Sequence, residues 1–255
     1  MRVATFNIQS GRSADGTVRL DRFRDAVRML DADILALQEV DRDQPRSQLA
    51  DFTALAAEVM GAVADRFVAA VAGTPGASWV AATADEPAGT PVYGLALLSR
   101  YPAARWQVLR LPRLPIRVPL RLPDTRKVTV VREEPRVAVV GHFDTPAGRL
   151  AVANTHLSFV PGWNRVQLRH VGRALATLSD PTVLTGDLNM TRPVVRGYRS
   201  VASGLTFPSH APNRQLDHVL VRGASQPETV ATPEAGLSDH LPLVVTFQRS
   251  GDGRH

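Results

Sequence analysis

The polar residues best suited to chemistry stand where short apolar runs stop. Asn7 closes Val3-Ala4-Thr5-Phe6, Glu39 follows Ile34-Leu35-Ala36-Leu37-Gln38, and His156 follows Ala151-Val152-Ala153-Asn154-Thr155. Asp187 and Asn189 come after Val183-Leu184-Thr185-Gly186, Asp217 comes after Leu216, and the pair Asp239-His240 precedes Leu241-Pro242-Leu243. Side chains at strand ends can meet at one edge of a sheet, and this combination would make a phosphate site. A hard cation such as magnesium takes carboxylate or amide oxygens and keeps several waters, a demand that Glu39 and Asn7 can meet. Hydrolysis of a phosphate ester also needs a carboxylate or histidine beside the attacking water, and amide or imidazole donors toward the nonbridging oxygens. Asp187, Asn189, His156 and His240 fit those tasks. Taken singly, most have an ordinary explanation: Asn7 or Asn189 as a turn residue, Asp217 or Asp239 as a solvated carboxylate. Glu39 and His240 are harder to explain that way, because burial beside apolar strands is costly for either without a partner.

The elements that must position these residues are legible in the apolar spacing. Residues 3–8 read as a strand, Leu20, Phe23, Val27 and Leu30 recur at helical intervals, 34–37 form a buried strand, and 52–60 a second helix. Further strands are expected at 93–99, 137–143, 150–156, 182–185, 216–221 and 241–247, most of them rich in Val, Leu and Ala. A long helix is expected from about 164 to 178, with Val166, His170, Val171, Ala174 and Leu178 on one side. With no internal repeat and no break in composition, residues 1–248 read as a single domain and 249–255 as a disordered tail.

The chain has no cysteine, which excludes disulfides, thiolate zinc sites and a thiol nucleophile, and leaves the chemistry to oxygen and nitrogen. It carries a net charge of +6. The stretch from Arg105 to Arg136 holds eight arginines and one lysine against Asp124, Glu133 and Glu134, so it accounts for the whole surplus. Within it, 109–123 interleaves arginine, aliphatic and proline residues and should be extended rather than helical. Such an arm could recruit phosphate, contact an acidic lipid surface or a nucleic acid, or simply be solvated. Its lack of Phe and Tyr weakens a single-stranded nucleic-acid reading without excluding contact with a duplex backbone. The amino terminus has no signal-peptide pattern and no apolar run approaches a membrane span, so the expectation is a soluble cytoplasmic protein without a transmembrane segment. The sequon at Asn189-Met190-Thr191 is discounted on the same ground, and His142, His170, His210, His218 and His255 are read as structural or exposed.

Six motifs taken in order carry a resemblance. Thr5-Phe6-Asn7-Ile8, Leu37-Gln38-Glu39-Val40, Asn154-Thr155-His156-Leu157, Gly186-Asp187-Leu188-Asn189, Leu216-Asp217-His218-Val219 and Ser238-Asp239-His240 resemble those of the endonuclease/exonuclease/phosphatase (DNase I-like) superfamily, over about nine tenths of the chain. The resemblance implies an α/β fold, a four-layer α/β/β/α sandwich in which two mixed sheets pack face to face. It also implies a magnesium ion, with manganese as a substitute, held mainly by Glu39, supported by Asn7, and contacted directly or through water by Asp239. Asp187 would position or deprotonate the attacking water, Asn189 and His156 would hold phosphate oxygens, and His240, oriented by Asp217, would serve as acid/base or cationic donor. Gln38-Glu39-Val40-Asp41-Arg42 and residues 93–102 look more like the phosphatase and sphingomyelinase-like branch than the DNA-repair branch. Three readings follow in order: a phosphoesterase acting on a small or lipid-linked phosphate, a sequence-nonspecific nuclease, and a noncatalytic binding protein of the same fold.

Overall fold

The structure, a computed structural model, describes residues 1–13, 15–121, 128–223 and 226–248; the tail expected at 249–255 and part of the arginine-rich stretch lie outside them. In chain order the elements are β1 (Arg2–Asn7), α1 (Leu20–Leu30), β2 (Ile34–Arg42), α2 (Phe52–Met60), β3 (Ala64–Gly73), β4 (Trp79–Ala81), β5 (Val92–Ser99) and β6 (Ala103–Arg110). They continue with β7 (Arg117–Arg121), β8 (Val128–Arg132), β9 (Val137–Thr145), β10 (Gly148–His156), α3 (Trp163–Ala176), β11 (Thr182–Asp187), β12 (Arg199–Ser200), β13 (Asp217–Arg222), β14 (Pro227–Ala231) and β15 (Leu243–Phe247).

Two mixed sheets dominate. The first has the order β14-β15-β1-β2-β5-β3-β4 and the second β12-β13-β11-β10-β9-β6, while β7 and β8 pair only with each other. Residues of both sheets, among them Val3, Ile34, Leu97, Val139, Val152, Val183, Val219 and Leu243, share one buried cluster, so the sheets pack face to face. A second cluster joins the other face of the first sheet to Phe23, Val27 and Leu30 of α1 and Phe52 and Ala56 of α2. A third joins the second sheet to Leu168, Val171 and Leu175 of α3. The layers are therefore helix, sheet, sheet, helix, as the resemblance implied. Among the described residues no helix is long and apolar enough to cross a membrane.

The central strands are continuous apolar runs because both faces are covered. That property made β1, β2, β5 and β9–β11 visible in sequence. α1 buries Phe23, Ala26, Val27 and Leu30 on one stripe. α2 starts where the Asp51 side chain accepts from the Thr53 and Ala54 N–H groups and stops at Gly61, which takes the left-handed conformation. The buried face of α3 differs from expectation: Asn164, Gln167, Leu168, Val171 and Leu175 face inward, and His170 is exposed. Packing the two leucines with Val171 buries more apolar area than a stripe containing histidine. The hairpin β7–β8 agrees with an extended reading of that segment, and its base is tethered where Trp163 Nε1 and Gln167 Nε2 donate to the Pro112 carbonyl at 3.2 and 3.0 Å.

A buried polar contact registers the two sheets against each other. Asn154 on β10 donates to the carbonyls of Leu37 (2.9 Å) and Ala96 (2.8 Å), and its own oxygen accepts from Gln38 Nε2 at 2.7 Å. The strand ends of the two sheets are thereby fixed relative to one another.

Candidate active site

Strand register explains how the second sheet lines up its part of the site. His156, the last residue of β10, lies opposite Asp187, the last of β11, and Asp187 lies opposite Asp217, the first of β13. Cross-strand partners point to the same face, so the three side chains form a row. Gly186 precedes this row with φ +134°, and a Cβ there would overlap the Thr155 carbonyl oxygen, so no other residue fits.

The first sheet supplies Asn7 and Glu39. Asn7 closes β1 opposite Gln38 of β2. Pairing of β2 with β5 then slips between Gln38 and Val40, leaving Glu39 as a bulge with φ 55°. A bulge re-aims one side chain out of the normal alternation. Here Glu39 points to the cleft instead of into a packed face. The loop after residue 236 brings Asp239 and His240. It is tied to β1 by Ser238 Oγ, which donates to the Asn7 carbonyl at 2.6 Å and accepts from the His240 N–H at 3.1 Å. Asp239 N–H donates to Gln9 Oε1 at 3.2 Å.

These residues meet. The Asn7 amide nitrogen donates to Glu39 Oε1 at 3.0 Å and to Asp187 Oδ2 at 3.1 Å, bridging the two sheets. His156 Nε2 stands 3.4 Å and His240 Nε2 3.7 Å from the same Asp187 oxygen. Asp187 Oδ1 accepts from the Asn189 N–H at 2.9 Å. His240 Nδ1 donates to Asp217 Oδ2 at 2.8 Å, and Phe207 packs against the ring with centroids 4.9 Å apart. Asn189 spends one side-chain N–H on the Leu157 carbonyl at 3.0 Å, leaving the other for a ligand.

The electrostatics separate these groups. Burial, with the Asp217 charge adding to it, pushes the Asp187 carboxyl up to about 7. Burial works against a charged His240, but the charge and hydrogen bond of Asp217, with Asp187 and Asp239 beyond, raise its pKa to about 10. Burial, assisted by Arg136 and His240, holds His156 well below the ordinary histidine value, so it is a neutral ring. Burial raises Glu39 against its hydrogen bond from Asn7, and the Asp239 charge adds to the rise. Two environments that drive a carboxyl and an imidazole in these directions suit a base and an acid at neutral pH.

Two places could hold a metal. Asp187, Asp217 and His240 are buried and offer ligand atoms within 4.8 Å of one another. Within that group, however, Asp217 Oδ2 and His240 Nδ1 are taken up by their own hydrogen bond, while the buried Asp217 Oδ1 has no partner among the described residues. Burial raises Glu39 first and the neighbouring Asp239 charge adds to it, so a divalent cation beside the two carboxylates would relieve both costs. Their all-oxygen chemistry fits a hard ion, and Asn7, whose oxygen accepts from the Gln9 N–H at 3.1 Å, supports the place through its amide nitrogen on Glu39.

The site opens as a cleft of about 410 Å³ lined by Glu39, His156, Asp187, Asn189 and His240 together with residues not singled out from sequence: Arg46, Tyr93, Glu134, Arg136 and Phe159. None of these ends a motif run, and only the fold brings them to the cleft. The acidic pair Glu133-Glu134 before Arg136 was visible only as part of a charge count.

The chain belongs to the Endonuclease/Exonuclease/phosphatase family, whose sequence profile matches residues 4–240. Members of this family are hydrolases acting on phosphate esters. In structure the chain is similar to an endonuclease/exonuclease/phosphatase from Beutenbergia cavernae DSM 12333 (TM-score 0.67, 23% identity, 96% of this chain and 70% of that one). It is also similar to humanized D. rerio TDP2 (TM-score 0.64, 12% identity, 98% and 99%) and to the mannosyl-6-phosphatase Bt3783 of Bacteroides thetaiotaomicron VPI-5482 (TM-score 0.62, 18% identity, 98% and 100%). At these identities the likeness is one of fold. No curated protein matches the chain by sequence.

Proposed function

We propose that this protein is a divalent-metal-dependent phosphoesterase, using magnesium, that hydrolyses a phosphodiester or phosphomonoester on a small or lipid-linked substrate. The observation that carries the reading is the meeting of Asn7, Glu39, His156, Asp187 and His240 around one cleft, with Asp187 and His240 tuned in the directions of a base and an acid.

In this reading Glu39 and Asp239 would hold the cation, with Asn7 steering Glu39, and the cation when bound would neutralise charge on a phosphate oxygen. Asp187, steered by the Asn189 N–H on one oxygen and the Asn7 amide on the other, takes a proton from the attacking water as the new P–O bond forms. His240, held as an imidazolium by Asp217, gives its proton to the departing oxygen as the old P–O bond breaks. His156, neutral and beside Asp187, donates to a nonbridging oxygen, and the free N–H of Asn189 does the same.

The moderate volume of the cleft and the walls provided by Tyr93 and Phe159 favour a small or lipid-linked ester. One observation favours a nuclease instead: Arg113, Arg117 and Arg132, at the base of and on the hairpin β7–β8, are exposed and suit a phosphate backbone. The test is a matched set of substrates with magnesium and with EDTA: supercoiled plasmid, a nitrophenyl phosphodiester, nitrophenyl phosphate and a phospholipid. Turnover of the small or lipid esters without plasmid nicking supports the proposal. Efficient nicking of the plasmid would make it a nuclease, and silence throughout would leave a binding protein.

A further inference from the structure

Arg136 is the one cleft-lining cation whose charge the described residues do not hold by a hydrogen bond. It stands immediately before β9, the strand beside β10, one residue past the position opposite His156, and it lines the cleft with His156 and Asp187. It is only 8% exposed, yet its guanidinium makes no hydrogen bond among the described residues, and its buried Nε has no partner at all. The nearest carboxylate oxygen, Oε1 of Glu133, is 3.9 Å away and is itself without a donor. Burial works against its charge, and the nearby Glu134, Glu133 and Glu39 favour it.

The contrast with Arg46 makes the point sharper. Arg46 lines the same cleft, but its Nε and Nη2 are bound to Asp41 at 2.9 and 2.8 Å and it lies 5.4 Å from the centroid of the Tyr93 ring. Its charge is matched and its fork is occupied. Arg136 has an unoccupied fork in a buried position, an arrangement that costs stability unless some acceptor completes it. Its fork opens to the cleft that Glu39, His156 and Asp187 also line, and with His156 and Tyr93 it borders a second, smaller void. A planar guanidinium with free parallel donors is matched in shape by two oxygens of one tetrahedral phosphoryl group.

We propose that Arg136 is a further phosphate-binding residue of the active site, gripping two nonbridging oxygens of the substrate phosphoryl group from the side opposite His240. This rests on the phosphoesterase reading for its place in turnover, but phosphate binding can be measured without turnover. Calorimetric titration of inorganic phosphate, with and without magnesium, into the wild type, Arg136→Lys, Arg136→Ala and His240→Ala separates the two. Arg136→Lys keeps the charge and loses the fork, so it should fold like the wild type and bind phosphate about tenfold more weakly. Arg136→Ala should lose measurable binding, while His240→Ala, which removes a second cation but leaves the fork, should weaken binding less than Arg136→Ala although it cannot turn over substrate. Wild-type protein that binds phosphate through Arg136 but hydrolyses none of the esters would retain this inference and remove the hydrolase reading. A wild type that hydrolyses esters, with phosphate affinity unchanged in Arg136→Lys and Arg136→Ala, would overturn the inference and spare the hydrolase. Absence of phosphate binding by the wild type would overturn it as well.

Discussion

At the scale of single residues, the pairing of His240 with Asp217 makes the most exposed claim. Burial alone would hold this histidine neutral at physiological pH, yet the 2.8 Å contact with a fully buried carboxylate raises its pKa to about 10. If His240 works as the acid, kcat/KM falls as pH rises through about 10. In Asp217→Asn, which keeps the shape and removes the charge, that limb should move to lower pH and kcat should drop by about 10²-fold or more. A limb left in place would mean that another group is the acid. The same shift has a stability consequence. A histidine whose folded pKa lies above its unfolded value of about 6.5 stabilises the fold fully below that pH and loses the contribution as pH rises through about 10. Thermal midpoints of the wild type should therefore decline over that interval more steeply than those of Asp217→Asn.

At the scale of elements, the site depends on three local devices: strand ends in register, a bulge and a tethered loop. His156, Asp187 and Asp217 sit side by side because β10, β11 and β13 are neighbours. Glu39 reaches the cleft because β2 bulges there, and Asp239-His240 are held because Ser238 bonds the end of β1. What keeps the two halves at working distance is Asn154. In Asn154→Ala the Leu37 and Ala96 carbonyls lose their donor and Gln38 its acceptor, all in a dry interface. The expected loss is about 2–4 kcal/mol in denaturant unfolding, with activity falling further than the unfolded fraction explains. A change under about 0.5 kcal/mol would show that the clamp is not what registers the sheets. These elements also mark how far the sequence could be read. Strands buried on both faces announced themselves as unbroken apolar runs, and the motif residues followed at their ends. β3, with exposed Asp65 and Arg66 near its start, and the edge strands β4, β6 and β14, with exposed positions along their length, carried no such signal. The burial of α3 was misassigned by a small rotation because Asn164 and Gln167, polar residues, belong to its inner face: Gln167 bonds the Ser158 N–H and the Pro112 carbonyl. Arg136 was hidden for a related reason, since nothing about an arginine in an arginine-rich stretch tells that, among the described residues, it is the one buried at the cleft.

Across the whole molecule, two sheets packed face to face put the ends of many strands at one edge, so residues from position 7 to position 240 meet around one cleft. That geometry explains why the site is dispersed in sequence: no single segment could supply it. The basic surplus of the sequence falls within residues 105–136, the stretch that contributes Arg136 to the cleft. In the proposed reading this edge is a metal-assisted hydrolytic centre whose cation would rest on Glu39. Its most direct test is the rate of nitrophenyl phosphodiester and nitrophenyl phosphate hydrolysis by the wild type and by Glu39→Gln, a shape-preserving change, each with magnesium and with EDTA. The account predicts magnesium-dependent turnover by the wild type, abolished by EDTA, and a loss of about 10²-fold or more in Glu39→Gln with the fold intact. Equal rates in the two proteins, or wild-type turnover indifferent to EDTA, would contradict it.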